Sequence, residues 1–225
     1  MKRVLLIDIL RGLAFIFMII QHIFYFYDVS NDYNTRLSKN NIIKMFGIIS
    51  RTLFILLAGY SVYMAYNKNK NDYIINRISR SIKILYHAII ISLITYILYP
   101  KYFIRFGILH FMCFGTLLIS FIAPYNKLSI LILLISLLIK YPKINPIIDT
   151  ITGSHSHYYM MDWFPLNKWL PILICGLIIG QNIDINELNL FKNDNILSEL
   201  GKNSLNLYTL HLIILLSFYK FKNNI

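Results

Sequence analysis

Charged residues are scarce in this chain, at 14% of 225, and cysteine is rarer still, with only Cys113 and Cys175. Both cysteines fall within apolar runs, which excludes a disulfide framework and reads as two free thiols. There is no Gly-rich nucleotide loop, no serine nucleophile elbow and no metalloprotease helix. The usual handles of soluble enzymes are therefore missing, and any chemistry has to use buried His, Arg and Asp. No internal repeat is visible.

What is abundant is apolar sequence. The hydrophobic fraction is 57% and the mean hydropathy is +0.58, which predicts an all-α, polytopic integral membrane helix bundle in a single domain, residues 1–225. Seven spans are predicted, at about 4–27, 42–66, 81–99, 103–123, 128–140, 169–181 and 203–219, the fifth and sixth being short for a ~30 Å core. The net charge of +12 does not point to nucleic acid, because the charges sit in short connections between apolar runs, where anionic lipid and the positive-inside rule put them. The first span is too long and too charged for a cleavable leader. Lys2 and Arg3, with the cluster Lys68, Lys70, Arg77, Arg80 and Lys83, set the expected topology: a multi-pass cell-membrane protein with a cytoplasmic N-terminus.

The first span holds the stretch around which the rest is read: Asp8, Arg11, Gly12 and then His22. Ionisable groups in a membrane helix are costly, so they need a reason. Eleven residues make roughly three turns, so Arg11 and His22 share a face about 16 Å apart, with Asp8 three residues before Arg11 and within reach of an ion pair. On the expected topology His22, Arg51, Arg105, His110 and His211 gather near the midplane or in the outer half. They are either separate hydrogen bonds between helices or the lining of a site. The long outer connection, about 141–168, carries His155 and His157, which read as solvated histidines because no further ligand cluster accompanies them. It also carries Asp162 among aromatic rings, which suit either a docked sugar ring or an interfacial belt. No metal site is expected.

The ordered set of short motifs then suggests a family. Asp8-x-x-Arg11-Gly12-x-Ala14 with His22 resembles the first helix of transmembrane acyltransferases, and the Arg-x10-His spacing is similar to that of the family-three enzymes that O-acetylate glycans. Four further stretches resemble more closely the prokaryotic members of the heparan-alpha-glucosaminide N-acetyltransferase catalytic-domain family. They are Arg51-Thr52-Leu53-Phe54 running to Ala58-Gly59-Tyr60-Ser61, Phe103-Ile104-Arg105-Phe106-Gly107 running to His110, Asp162-Trp163-Phe164-Pro165 with Trp169, and Leu200-Gly201-Lys202-Asn203-Ser204 running to His211. The chain departs from the lysosomal members in having Tyr25-Phe26-Tyr27-Asp28 where they carry a glycine run, and in having Lys168 where proline is expected.

The resemblance implies transfer of an acetyl or other acyl group from cytoplasmic acetyl-CoA to a saccharide or glycolipid at the outer side. His22 would be the base or acyl carrier, aided by Arg11 and Asp8. Arg51, Arg105, His110, Asp162, His211, Arg77 and Arg80 are the candidates for binding donor or acceptor. The expected partners are membrane lipids, acyl-CoA and that acceptor. Oligomeric state stays open, and a transporter using the same polar path, or a non-catalytic scaffold, remains as an alternative.

Overall fold

Leu5–Ser30 forms one uninterrupted helix, α1, in which Asp8, Arg11 and His22 all lie. In the computed structural model, which describes residues 4–31, 35–155, 158–183 and 193–222, a 3-10 turn (Leu37–Lys39) follows, then α2 (Asn41–Lys68), α3 (Tyr73–Leu98), α4 (Ile108–Ser120), α5 (Asn126–Leu138), α6 (Pro146–Thr152), α7 (Leu166–Asn182), α8 (Ile196–Lys202) and α9 (Ser204–Lys222). No strand occurs among the described residues. Lys2, Arg3, His157 and residues 184–192 of the polar connection after α7 lie outside them.

Helices stand at all seven predicted places, and four of them, α1, α2, α3 and α9, are long and apolar enough to cross a membrane. α4 and α5, at 13 residues each, reach only about 20 Å. The third helix begins at Tyr73, eight residues earlier than the apolar run suggests. Arg77, Arg80 and Lys83 are therefore helical and do not belong to the connection, which shrinks to residues 69–72. Lys and Arg are good helix formers, so the helix runs through the charged stretch that precedes its apolar part.

Contacts divide the described residues into two units, 55–183 and 4–54 with 193–222, the division falling within α2. In the second unit α1 packs on α8, α9 and the 3-10 turn. Its glycines set how close the backbones come: a Cβ on Gly12 would lie 2.0 Å from the Leu197 carbonyl oxygen, and one on Gly201 would lie 1.7 Å from that of Asp8. Small residues permit this approach, the recurrent packing solution between membrane helices. At the far end of α1 the fully buried Asp28 accepts hydrogen bonds from Leu37 N–H (2.9 Å), Ser38 N–H (2.7 Å) and the Thr35 and Ser38 hydroxyls, which pins the chain leading to α2.

The first unit pairs α3 with α4, and packs α7 on α4, α5 and α6. Gly59 of α2 and Gly176 of α7 repeat the close approach, each facing a carbonyl oxygen of the other helix 2.0 Å from where a Cβ would stand. Segment 161–164 is tied to segment 102–106 by Met161 N–H to Tyr102 O and Phe164 N–H to Phe106 O, both 3.0 Å.

Candidate active site

His22 of α1 and His211 of α9 are 189 residues apart in sequence, yet Nδ1 of His22 lies 2.9 Å from Nε2 of His211 with the ring planes only 7° apart. The protons on this pair follow from its far end. His211 Nδ1 is 3.1 Å from the carbonyl oxygen of Leu207, one turn back on α9. A carbonyl only accepts, so His211 carries its proton on Nδ1 and, when neutral, a lone pair on Nε2. That lone pair accepts from His22 Nδ1–H. The lone pair of His22 then resides on Nε2, which makes no hydrogen bond to another described residue. The result is a directed chain: Leu207 C=O, His211, His22, and an unengaged basic nitrogen at its end.

Aromatic edges hold both rings in this pose. Phe15 and Tyr208 meet His211 edge-on at 5.6 and 5.4 Å, and Phe26 meets His22 at 6.3 Å. Such contacts fix ring orientation. Arg51 of α2 is close enough for its charge to act on His22, and its Nε donates to the Gly47 carbonyl oxygen at 2.8 Å. A Cβ on Gly47 would lie 2.9 Å from Gln21, so this glycine lets the segment bearing Arg51 approach α1 beside His22.

The Asp8–Arg11 pair forms as the spacing predicts, Nη1 to Oδ1 at 3.1 Å, with Asp8 buried and Arg11 about one-fifth exposed.

The remaining predicted residues lie in the other unit. Arg105 is held between two rings, its guanidinium carbon 4.0 Å from the Phe103 centroid and 4.2 Å from that of Tyr158, with Nη1 buried and lacking a hydrogen-bond partner. Asp162 accepts from Ile108 N–H at 2.9 Å, at the start of α4. His110 Nδ1 accepts from Gly107 N–H at 3.3 Å, while its Nε2 meets the Ser92 hydroxyl at 3.4 Å. Both groups therefore serve the N-terminus of α4, where backbone donors lack partners in the helix. Arg77 is buried on α3, and Arg80 is exposed one turn later. His155 is described, and among the described residues no three His, Cys, Asp or Glu side chains gather. Cys113 and Cys175 are free thiols.

The structure thus brings together His22, His211 and Arg51 in one unit, and Arg105, His110 and Asp162 around the start of α4 in the other. The Leu207 carbonyl was not legible as a functional group, although the i−4 relation to His211 was present in the sequence.

A family model described as heparan-alpha-glucosaminide N-acetyltransferase, catalytic, matches residues 3–213, from the start of α1 past His211. The chain belongs to this family. It is an acetyltransferase family, and the four membrane-length helices accord with a membrane acetyltransferase. No curated protein and no solved structure matches the chain. The family match takes in both histidines of the pair, as well as Arg51, Arg105 and Asp162.

Proposed function

We propose that the protein moves an acetyl or other acyl group from acyl-CoA, with acetyl-CoA as the donor at the cytoplasmic side, to a hydroxyl or amine of a saccharide or glycolipid at the outer side. The observation that carries this reading is the directed histidine chain. It leaves His22 Nε2 as a base whose ring is already oriented by a second imidazole.

In the direct route, His22 Nε2 takes the proton of the acceptor O–H or N–H as that atom attacks the thioester carbon. The C–S bond then breaks, and the departing thiolate recovers the proton from the His22 imidazolium. In the two-step route, Nε2 itself attacks the thioester carbon and the C–S bond breaks to release the thiolate. The acceptor then attacks the acyl carbon, the N–acyl bond breaks, and the acceptor's proton passes to the freed Nε2 and on to the thiolate. Both routes use the same nitrogen. His211 steadies the positive charge by accepting from His22 Nδ1–H throughout. Arg51, whose charge acts on His22, is the candidate for holding the oxyanion.

The test is incubation of the purified protein in lipid with labelled acetyl-CoA. Hydrolysis, self-acylation or transfer is expected, and label crossing the membrane without consumption of acyl-CoA would replace the enzyme by a transporter. A cytoplasmic N-terminus rests on the basic residues between 68 and 83. A cysteine placed at Asn71 should resist an impermeant reagent in whole cells, and ready labelling would invert the topology.

A further inference from the structure

The buried stripe of α3 reads Tyr73, Arg77, Ser81, Ile84, Ala88, Ile91, Thr95. From Ile84 onward it is what a helix packed on a neighbour should be. Its first two turns are not: they turn a guanidinium and two hydroxyls inward.

Arg77 is only 8% exposed, yet among the described residues its Nε has no hydrogen-bond partner and no carboxylate pairs with it. Ser81, 3% exposed, is equally unsatisfied. This is unusual within the chain itself, because the buried hydroxyls of Thr95, Thr116 and Ser120 all donate back to the carbonyl four residues earlier. Ser81 has the same option in the same kind of helix and leaves its hydroxyl aimed elsewhere. Tyr73, one turn before Arg77, is 4% exposed, and its hydroxyl too has no hydrogen-bond partner among the described residues. The charge along this stretch is mainly positive. Lys68, Lys70, Arg80 and Lys83 are exposed nearby in sequence, and the single acid among them, Asp72, accepts from the Asn69 amide at 3.2 Å. A buried cation and donor hydroxyls without acceptors, in a stretch rich in exposed cations, call for an anion with several acceptor oxygens.

We propose that Arg77, Ser81 and Tyr73 form a phosphate-binding subsite on the inward face of α3, distinct from the exposed cations near it in sequence. Its ligand chemistry is a phosphate ester, offered either by the 3′-phosphate of CoA or by an anionic lipid headgroup. The first source rests on the acyl-CoA reading above, and the second does not. The planar fork of Arg77 takes two phosphate oxygens side by side, and the hydroxyls of Ser81 and Tyr73 supply donors one turn to either side.

Binding of the purified protein in detergent free of phospholipid, and its melting there and in vesicles of stated lipid, provide the test. With CoA as probe, Arg77→Gln should weaken binding roughly ten- to a hundredfold, and Ser81→Ala by less. Removing the 3′-phosphate, by using 3′-dephospho-CoA, should weaken binding to the parent but not to Arg77→Gln if CoA is the source. If lipid is the source, CoA binding is indifferent to Arg77, and the rise in melting temperature on moving from phosphatidylcholine vesicles to vesicles with added phosphatidylglycerol is lost in Arg77→Gln. Indifference in both arms overturns the subsite. A separate readout guards against a purely structural role. Without any phosphate probe, Arg77→Gln should melt at or above the parent, because it removes a buried cation lacking a partner, whereas a marked drop would show that Arg77 already serves the fold and would overturn the proposal. Phosphate binding that depends on Arg77 without any acyl transfer leaves the subsite standing and removes the proposed reaction, and turnover with Arg77-independent binding does the reverse.

Discussion

His22 and His110 both lie on apolar helices, but the fold uses their ring nitrogens differently. His110 receives a backbone N–H at Nδ1 and meets Ser92 at Nε2, so its two nitrogens are occupied at the start of its own helix. His22 gives its Nδ1 to His211 and keeps Nε2. The residues around them differ in the same sense. The His110 region is stitched by backbone: Asp162 caps Ile108, and segment 161–164 bonds segment 102–106. The His22 region is stitched by side chains from helices far apart in sequence. A buried imidazole in a membrane helix is thus not by itself a sign of chemistry. What counts is which nitrogen the fold leaves over.

The sharpest way to break this contrast is to remove each ring in turn. His22→Ala should lower acetyl transfer by about 10²- to 10⁴-fold while melting close to the parent. His110→Ala should do the opposite, losing about 1 kcal/mol of stability with the cap while turnover per folded molecule stays near parental. Parental turnover in a folded His22→Ala protein would sink the assignment. His22→Gln should fail as fully as the alanine, since an amide hydrogen-bonds but takes no proton near neutral pH.

His211 tests the middle link. His211→Ala leaves the base but removes what orients it and accepts from its Nδ1, so the expected loss in kcat is roughly ten- to a hundredfold, less than for the base itself. His211→Gln should recover part of that loss, because its amide oxygen also accepts. The sign of the pH response follows from the same chain. His22 Nε2 must be unprotonated to act, so kcat/KM should rise with pH through one ionisation and then level off. In His211→Ala that profile should move, which a packing defect alone would not cause.

Much of this was legible in the sequence, for reasons that can be named. The uninterrupted apolar run of α1 declared the helix, and the helical period put Arg11 and His22 on one face. The Asp8–Arg11 pair was local and followed from spacing. The start of α3 was misplaced because Arg77, Arg80 and Lys83 look like a solvated connection, whereas Arg77 turns inward. The seven-residue helices α6 and α8 were missed because neither is long enough to show a period. Their signal lay in the caps: Asn145 before Pro146 accepts from Ile147 and Ile148, and Asn195 accepts from Ser198. The meeting of His22 with His211 was beyond one sequence, since depth in a membrane restricts which groups can meet but does not pair them.

The smallest expected effect concerns Asp162, and it separates two roles that sequence left open. Its Oδ2 accepts Ile108 N–H at 2.9 Å, and a Cβ on Gly107 would lie only 2.5 Å from the same oxygen, so the carboxylate sits directly against the first turn of α4. There a negative charge faces the positive end of the helix, a gain of about 0.3–1 kcal/mol. Asp162→Asn keeps an acceptor oxygen and loses only the charge, so it should lower stability by no more than that. Asp162→Ala loses the hydrogen bond too and should cost about 1 kcal/mol. If capping is the whole role, KM for the acceptor is unchanged in both variants. If the carboxylate also grips a sugar hydroxyl, KM rises in both, and more in the alanine. A raised KM with unchanged melting would return Asp162 to the acceptor site and make the start of α4 a binding edge as well as a structural one.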